Sequence, residues 1–165
     1  MIAIEYYTSP AGELILGSYE ERLCLADWRD RVARCSIDVR VQRGLHATYV
    51  EKKSAVIQKA KEQLALYFRG ELQNFDLPLL TVGTVFQKQV WDALCDIPYG
   101  HTASYASLAS AMGKPKATRA VASAVGANAL SLFIPCHRII GSDGTLTGYA
   151  GGLAVKKMLL DLEAR

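Results

Sequence analysis

Apolar positions in the first part of the chain fall in short blocks. Residues 2–7, 13–19 and 23–28 are rich in β-branched and aromatic side chains, and turn-forming Ser9-Pro10-Ala11-Gly12 separates the first two. This pattern predicts three short strands. Charged, irregular sequence then runs to about Arg43-Gly44. Over residues 54–68 the apolar residues Val56, Ala60, Leu64 and Tyr67 recur at helical spacing, and Gly70 ends the run. Residues 75–79 read as an extended link. The expectation for residues 1–80 is an α/β N-terminal domain, a small antiparallel sheet plus a helix.

Residues 81–165 read as a mainly α C-terminal domain. Thr84 with Gln87 forms a capping-box pattern ahead of Phe86, Val90, Ala93, Leu94 and Ile97, and Pro98-Tyr99-Gly100 stops that helix. Ser104 can cap a short helix ending near Gly113, and Pro115 suits the first turn of the next, over residues 116–127. Two short helices around a tight Gly-containing turn are a helix-turn-helix pattern. A last helix over residues 153–163 would bury Val155, Met158, Leu159 and Leu162, with Glu163 at the edge of that stripe.

Composition narrows the class. Half the residues are apolar and 21% are charged, which describes an ordinary globular protein. No apolar run nears the ~20 residues of a membrane span, and no basic segment precedes an apolar one at the start. A cytoplasmic monomer needing no metal or cofactor is expected. The net charge of +3 belongs to residues 84–165, with eight basic and five acidic side chains, while residues 1–83 balance. This suits phosphate contact and ordinary surfaces equally. Cys24, Cys35, Cys95 and Cys136 form no C-x-x-C pair and no zinc spacing. Cys24 and Cys95 sit in apolar runs and are expected to be buried.

Chemistry concentrates in two places. In the second helix of the helix-turn-helix, Val121 and Val125 lie about 200° and 240° around from Arg119. Burying the valines therefore turns Arg119 outward, flanked by Ser123 and Lys116 on a helix otherwise rich in alanine. Such a helix suits close approach to a DNA groove, or simply a solvated face. In Ile134-Pro135-Cys136-His137-Arg138, an apolar run places Cys136 at the lip of the core beside a histidine able to take its proton. Neighbouring side chains of an extended segment point apart, so a water-bridged relay is expected rather than direct contact. A base needs an orienting acceptor, and Glu163 is the candidate.

Together these residues resemble the O6-alkylguanine-DNA alkyltransferase family, the methylated-DNA–protein-cysteine methyltransferases. The resemblance spans residues 80–165 and rests on Phe86-Gln87-Lys88-Gln89-Val90-Trp91, Ile97-Pro98-Tyr99-Gly100, Ser104-Tyr105, Arg119-Ala120-Val121, Asn128, Pro135-Cys136-His137-Arg138 and Gly148-Tyr149-Ala150-Gly151-Gly152-Leu153. It implies irreversible transfer of an alkyl group from O6-alkylguanine, and from O4-alkylthymine, in double-stranded DNA to Cys136, once per chain. His137 would activate the thiol through a water and Glu163 would orient the imidazole. Arg119 would fill the stack vacated by a flipped base, and Tyr105 would hydrogen-bond the leaving guanine. The Cys136 and Ile139 carbonyls would read the exocyclic amine, Tyr149 and Ala150 would line the pocket, and Asn128 would tie the recognition helix to the cysteine segment. Two departures from the family pattern are Ala129, where proline is usual, and Ala150, where some relatives carry serine. A lesion binder without chemistry is disfavoured by the presence of Cys136. A cysteine hydrolase would need an oxyanion hole that no motif marks, and a transcription regulator would need long polar side chains on the second helix.

Overall fold

The computed structural model describes all residues from Met1 to Arg165 and resolves them into two compact units, Met1–Val82 and Gly83–Arg165.

In the first unit, strands β1 (Ile2–Ser9), β2 (Gly12–Tyr19), β3 (Arg22–Trp28) and β4 (Tyr49–Glu51) form one sheet in the order β3-β2-β1-β4. The first three strands meander antiparallel, with Tyr6 opposite Ile15 and Leu16 opposite Ala26. The fourth pairs parallel to β1, with Ile2 beside Tyr49. The sheet is therefore mixed rather than wholly antiparallel. The stretch expected to be irregular contains helix α1 (Arg34–Leu45), which lies between β3 and β4. That helix buries only Ile37 and Val41, so it carries almost no amphipathic signal. Helix α2 (Ala55–Phe68) starts where Ser54 Oγ accepts the Ile57 N–H at 3.1 Å. Its buried face is Ile57, Ala60, Leu64 and Tyr67, with Ile57 inward instead of the expected Val56. The link at residues 75–79 runs beside β3: Leu23 N–H donates to Pro78 O and Leu80 N–H to Leu23 O.

The second unit is built on helices α3 (Val85–Cys95), α4 (Tyr105–Ala111), α5 (Thr118–Gly126) and α6 (Leu153–Glu163), with two-residue strands β5 (Ala103–Ser104) and β6 (Ile139–Ile140). Thr84 and Gln87 close the capping box in both directions, at 3.1 and 2.9 Å. Ser104 and Ser107 do the same for α4. Pro115 lies before α5 rather than in its first turn, and α5 begins without a side-chain cap. Val90, Trp91 and Leu94 face the core, and Trp91 Nε1 donates to the Ala124 carbonyl at 2.9 Å, joining α3 to α5. Parallel pairing of Ala103 with Ile139 brings the chain just after Cys136 to the start of α4. Cys24 is buried, while Cys35 and, against expectation, Cys95 are exposed. No helix is long and apolar enough to cross a membrane.

Candidate active site

Residues 128–140 thread through the core of the second unit, and the buried run continues without a break from Asn128 to Ile139. Asn128 holds this passage in shape. Its Nδ2 donates to the Ile134 carbonyl at 3.0 Å, and its Oδ1 accepts the Leu130 N–H at 2.9 Å. Between them Leu132 takes a left-handed φ of 74°, strained for a branched side chain. The loop that follows is thus stapled by a side-chain amide. Replacing Asn128 with alanine is expected to cost about 1–3 kcal/mol for each backbone group left unpaired, read as a lowered urea midpoint at unchanged slope.

Cys136, His137 and Arg138 form a single 3-10 turn, not an extended segment. At about three residues per turn their side chains still diverge, by roughly 120°. Cys136 is buried, with the residue 6% exposed, and His137 is 0% exposed. His137 Nε2 lies 2.7 Å from Glu163 Oε2. A carboxylate can only accept, so Nε2 carries the hydrogen and Nδ1 is left with its lone pair. That Nδ1 is fully enclosed and bonds no protein group, as a base awaiting a proton would be. Burial pushes the imidazole below its ordinary value, opposing the hydrogen bond and charge of Glu163, while Arg138 and Lys156 add to the lowering. Burial thus favours the neutral imidazole.

Glu163 ends α6 and faces inward, hydrogen-bonded on both oxygens. Arg138 Nε reaches Oε1 at 2.7 Å, Arg138 Nη2 reaches Oε2 at 3.2 Å, and Nη1 of the same guanidinium donates to the Ile97 carbonyl at 2.7 Å. At Gly100, φ is +80° and an added Cβ would sit 3.1 Å from the Glu163 carbonyl, so glycine there lets the turn after α3 approach the end of α6.

One residue on this face escaped the sequence reading. Lys156 is 0% exposed, and its Nζ donates to the Thr147 carbonyl at 2.7 Å and the Gly148 carbonyl at 3.4 Å. It ties the glycine-rich loop before α6 to the helix. Burial lowers its pKa, and the nearby Cys136 raises it. The buried stripe of α6 is Lys156, Leu159, Leu162 and Glu163, while the expected Met158 is exposed. Positions 156, 159 and 163 are spaced as one helical face, but two charged residues there conceal it. Arg138, part of the Pro-Cys-His-Arg motif, carries no sequence signal of its own for a role, because its partners Glu163 and Ile97 are distant in sequence.

The remaining candidates lie around this centre. The Thr147 hydroxyl donates to Tyr105 OH at 3.3 Å, linking the loop to the start of α4. The Tyr149 ring stands edge-on to His137 at 6.5 Å, and Ala150 follows, half-buried. Ile139 is fully buried, and its N–H donates to the Cys136 carbonyl. Arg119 does not touch this cluster. It is exposed on α5 with Ser123, opposite buried Val121, Ala124 and Val125, and Lys116 is exposed in the turn just before the helix. No three His, Cys, Asp or Glu side chains come together as a metal site.

Comparison with known proteins covers nearly the whole chain. Residues 2–81 match the family model described as 6-O-methylguanine DNA methyltransferase, ribonuclease-like domain, and residues 85–165 match 6-O-methylguanine DNA methyltransferase, DNA binding domain. A methylated-DNA–protein-cysteine methyltransferase of Methanosarcina barkeri is 46% identical, over 94% of this chain and 92% of the relative. The constitutive protein of that name in Bacillus subtilis is 41% identical, over 97% and 96%. Among solved structures, a Mycobacterium tuberculosis O6-methylguanine methyltransferase superposes with a TM-score of 0.84 at 40% identity, covering 99% of this chain and 93% of that one. Mycobacterium tuberculosis OGT in complex with DNA superposes equally well at 38% identity, covering 98% and 92%.

Proposed function

Because this chain belongs to the 6-O-methylguanine DNA methyltransferase family, we propose that Cys136 is the residue that takes the alkyl group. The protein is a methylated-DNA–protein-cysteine methyltransferase, which repairs DNA by moving an alkyl group from a damaged base to itself. The observation that carries the residue assignment is the enclosed Nδ1 of His137, oriented by Glu163 and one residue along the chain from the buried thiol of Cys136.

The Cys136 proton passes through one water to His137 Nδ1, and the thiolate attacks the alkyl carbon bound to O6 of guanine. The C–O bond breaks as the C–S bond forms, its electron pair goes to guanine, and Tyr105 OH donates a hydrogen bond to the departing base. The base takes up one proton from solvent to become neutral guanine, and the imidazolium of His137 gives one back to solvent. The thioether is stable, so each chain acts once. O4-alkylthymine presents the same alkyl–oxygen bond and is a second substrate. The Cys136 and Ile139 carbonyls, Tyr149 and Ala150 shape the pocket. A thiol consumed in this way suits the cytoplasm, where thiols stay reduced.

An atom on a base edge is out of reach within a duplex, so the base must leave the stack, at a few kcal/mol. Arg119 stands outward on a helix of small side chains and fills the gap from the minor groove. In a duplex with one O6-methylguanine, conversion to guanine is expected to stop at one lesion per chain, and no conversion at all would overturn the reading. In the same assay, Arg119→Ala is expected to slow duplex repair at least tenfold, since extruding a base costs a few kcal/mol and about 1.4 kcal/mol of that left uncompensated is a factor of ten in rate, while sparing reaction with free O6-benzylguanine. Equal losses on both substrates would remove the flipping role.

A further inference from the structure

Glu163 has two partners with opposed consequences. A carboxylate bonded to a buried imidazole N–H favours the imidazolium, because the added proton creates an opposite charge in contact with it. An imidazolium has no lone pair with which to accept a thiol proton. Arg138 alters that balance. Its guanidinium is permanently charged, spans both oxygens of Glu163, and is itself anchored on the Ile97 carbonyl. Glu163 Oε2 thus receives His137 Nε2 and Arg138 Nη2 together.

We propose that Arg138 is a positioning residue that neutralises Glu163, so that the carboxylate orients His137 without protonating it. This deepens the reading of His137 as the base for Cys136 and rests on it. The charged and titratable groups around the imidazole are Glu163 and Lys156 from α6, Arg138 and Cys136 from its own turn, and Tyr149 from the glycine-rich loop. Lys156 spends its hydrogen bonds on the Thr147 and Gly148 carbonyls. It repels a proton on His137 at a distance but leaves the Glu163 charge in place. Arg138 is the cation bonded to that carboxylate. Orientation and proton affinity are thereby set by separate residues: Glu163 fixes the tautomer, and Arg138 offsets the charge of Glu163.

The test pairs two readouts on the full chain. The first is the His137 titration by NMR, assignable because the chain has three histidines and His46→Asn and His101→Asn remove the other two. The second is the rate of Cys136 benzylation by free O6-benzylguanine as a function of pH. With Arg138→Gln, the His137 pKa is expected to rise by about one unit or more, the size of effect one adjacent charge produces. The acid limb of the rate profile should move up with it, leaving the variant about fivefold slower at the pH of the wild-type midpoint for a one-unit rise, approaching tenfold below it and recovering as pH rises. Arg138→Lys keeps the charge and loses the fork, so its limb should stay near that of the wild type. A uniform loss at every pH in Arg138→Gln, with the His137 titration unmoved, would overturn the proposal and leave Arg138 a purely structural link. If Arg138→Gln does not fold, the wild-type titration still decides: a His137 pKa at or above the ordinary value of about 6.5 would overturn it. Absence of Cys136 benzylation in the wild type at every pH is a different result. It would remove the alkyl-transfer reading and, with it, the proposal's premise, while the titration would still report the charge balance.

Discussion

Glu163→Gln is expected to give a folded protein that transfers alkyl groups roughly 10²- to 10⁴-fold more slowly, the range a positioned general base contributes. Both carboxylate oxygens accept hydrogen bonds in the native site, from His137 and from the Arg138 fork. A glutamine has one oxygen to offer. Arginine can only donate, so the amide oxygen goes to the 2.7 Å contact with Arg138 Nε and the amide NH2 faces His137. The imidazole must then accept at Nε2 and carry its hydrogen at Nδ1, on the side meant to take the thiol proton. The geometry survives with the tautomer reversed. Single-turnover rates at fixed pH measure the loss, and an NMR tautomer assignment for His137 gives its cause. Unchanged rates would mean that His137 is not the base. Glu163→Ala makes the complementary point through stability. It leaves the Arg138 charge buried with its carboxylate gone, at a cost of about 3–5 kcal/mol. In a chain of this size that lowers Tm on the order of 10 °C.

Much of this site could be read from the sequence, and the gaps follow one physical pattern. Arg119 faces outward, as the positions of Val121 and Val125 require, because burial of two valines fixes the rotation of a short helix. The ends of α6 fall at Leu153 and Glu163, where the apolar spacing places them. The rotation of that helix was misjudged. Hydrophobic periodicity treats Lys156 as solvent-facing and sets Glu163 only at the edge of the stripe, yet both are buried, and Met158 is turned out instead. Their burial is stabilised by partners distant in sequence: the Thr147 carbonyl for Lys156, and His137 and Arg138 for Glu163. Periodicity has no access to such partners. The same limit explains β4 and α1. A three-residue strand paired in parallel, and a polar helix burying two side chains, draw their stability from neighbours rather than from local pattern. The turn at Cys136 was expected to be extended, and its 3-10 form depends on contacts within the core. Separation of the thiol from the imidazole holds in either geometry.

The central claim, that Cys136 is the consumed acceptor, has a direct measurement. The protein is incubated with excess duplex DNA containing one O6-methylguanine, and the intact chain is then weighed, followed by peptide mapping. One added methyl group per chain, carried by Cys136 and not exceeded at longer times, is expected, with Cys136→Ser gaining none while still binding the lesion duplex. Serine's hydroxyl is almost never ionised at neutral pH, so the variant keeps the shape of the site and loses the nucleophile. A methyl group on Cys24, Cys35 or Cys95, repeated turnover by a chain of unchanged mass, or a mass gain in Cys136→Ser would contradict the assignment.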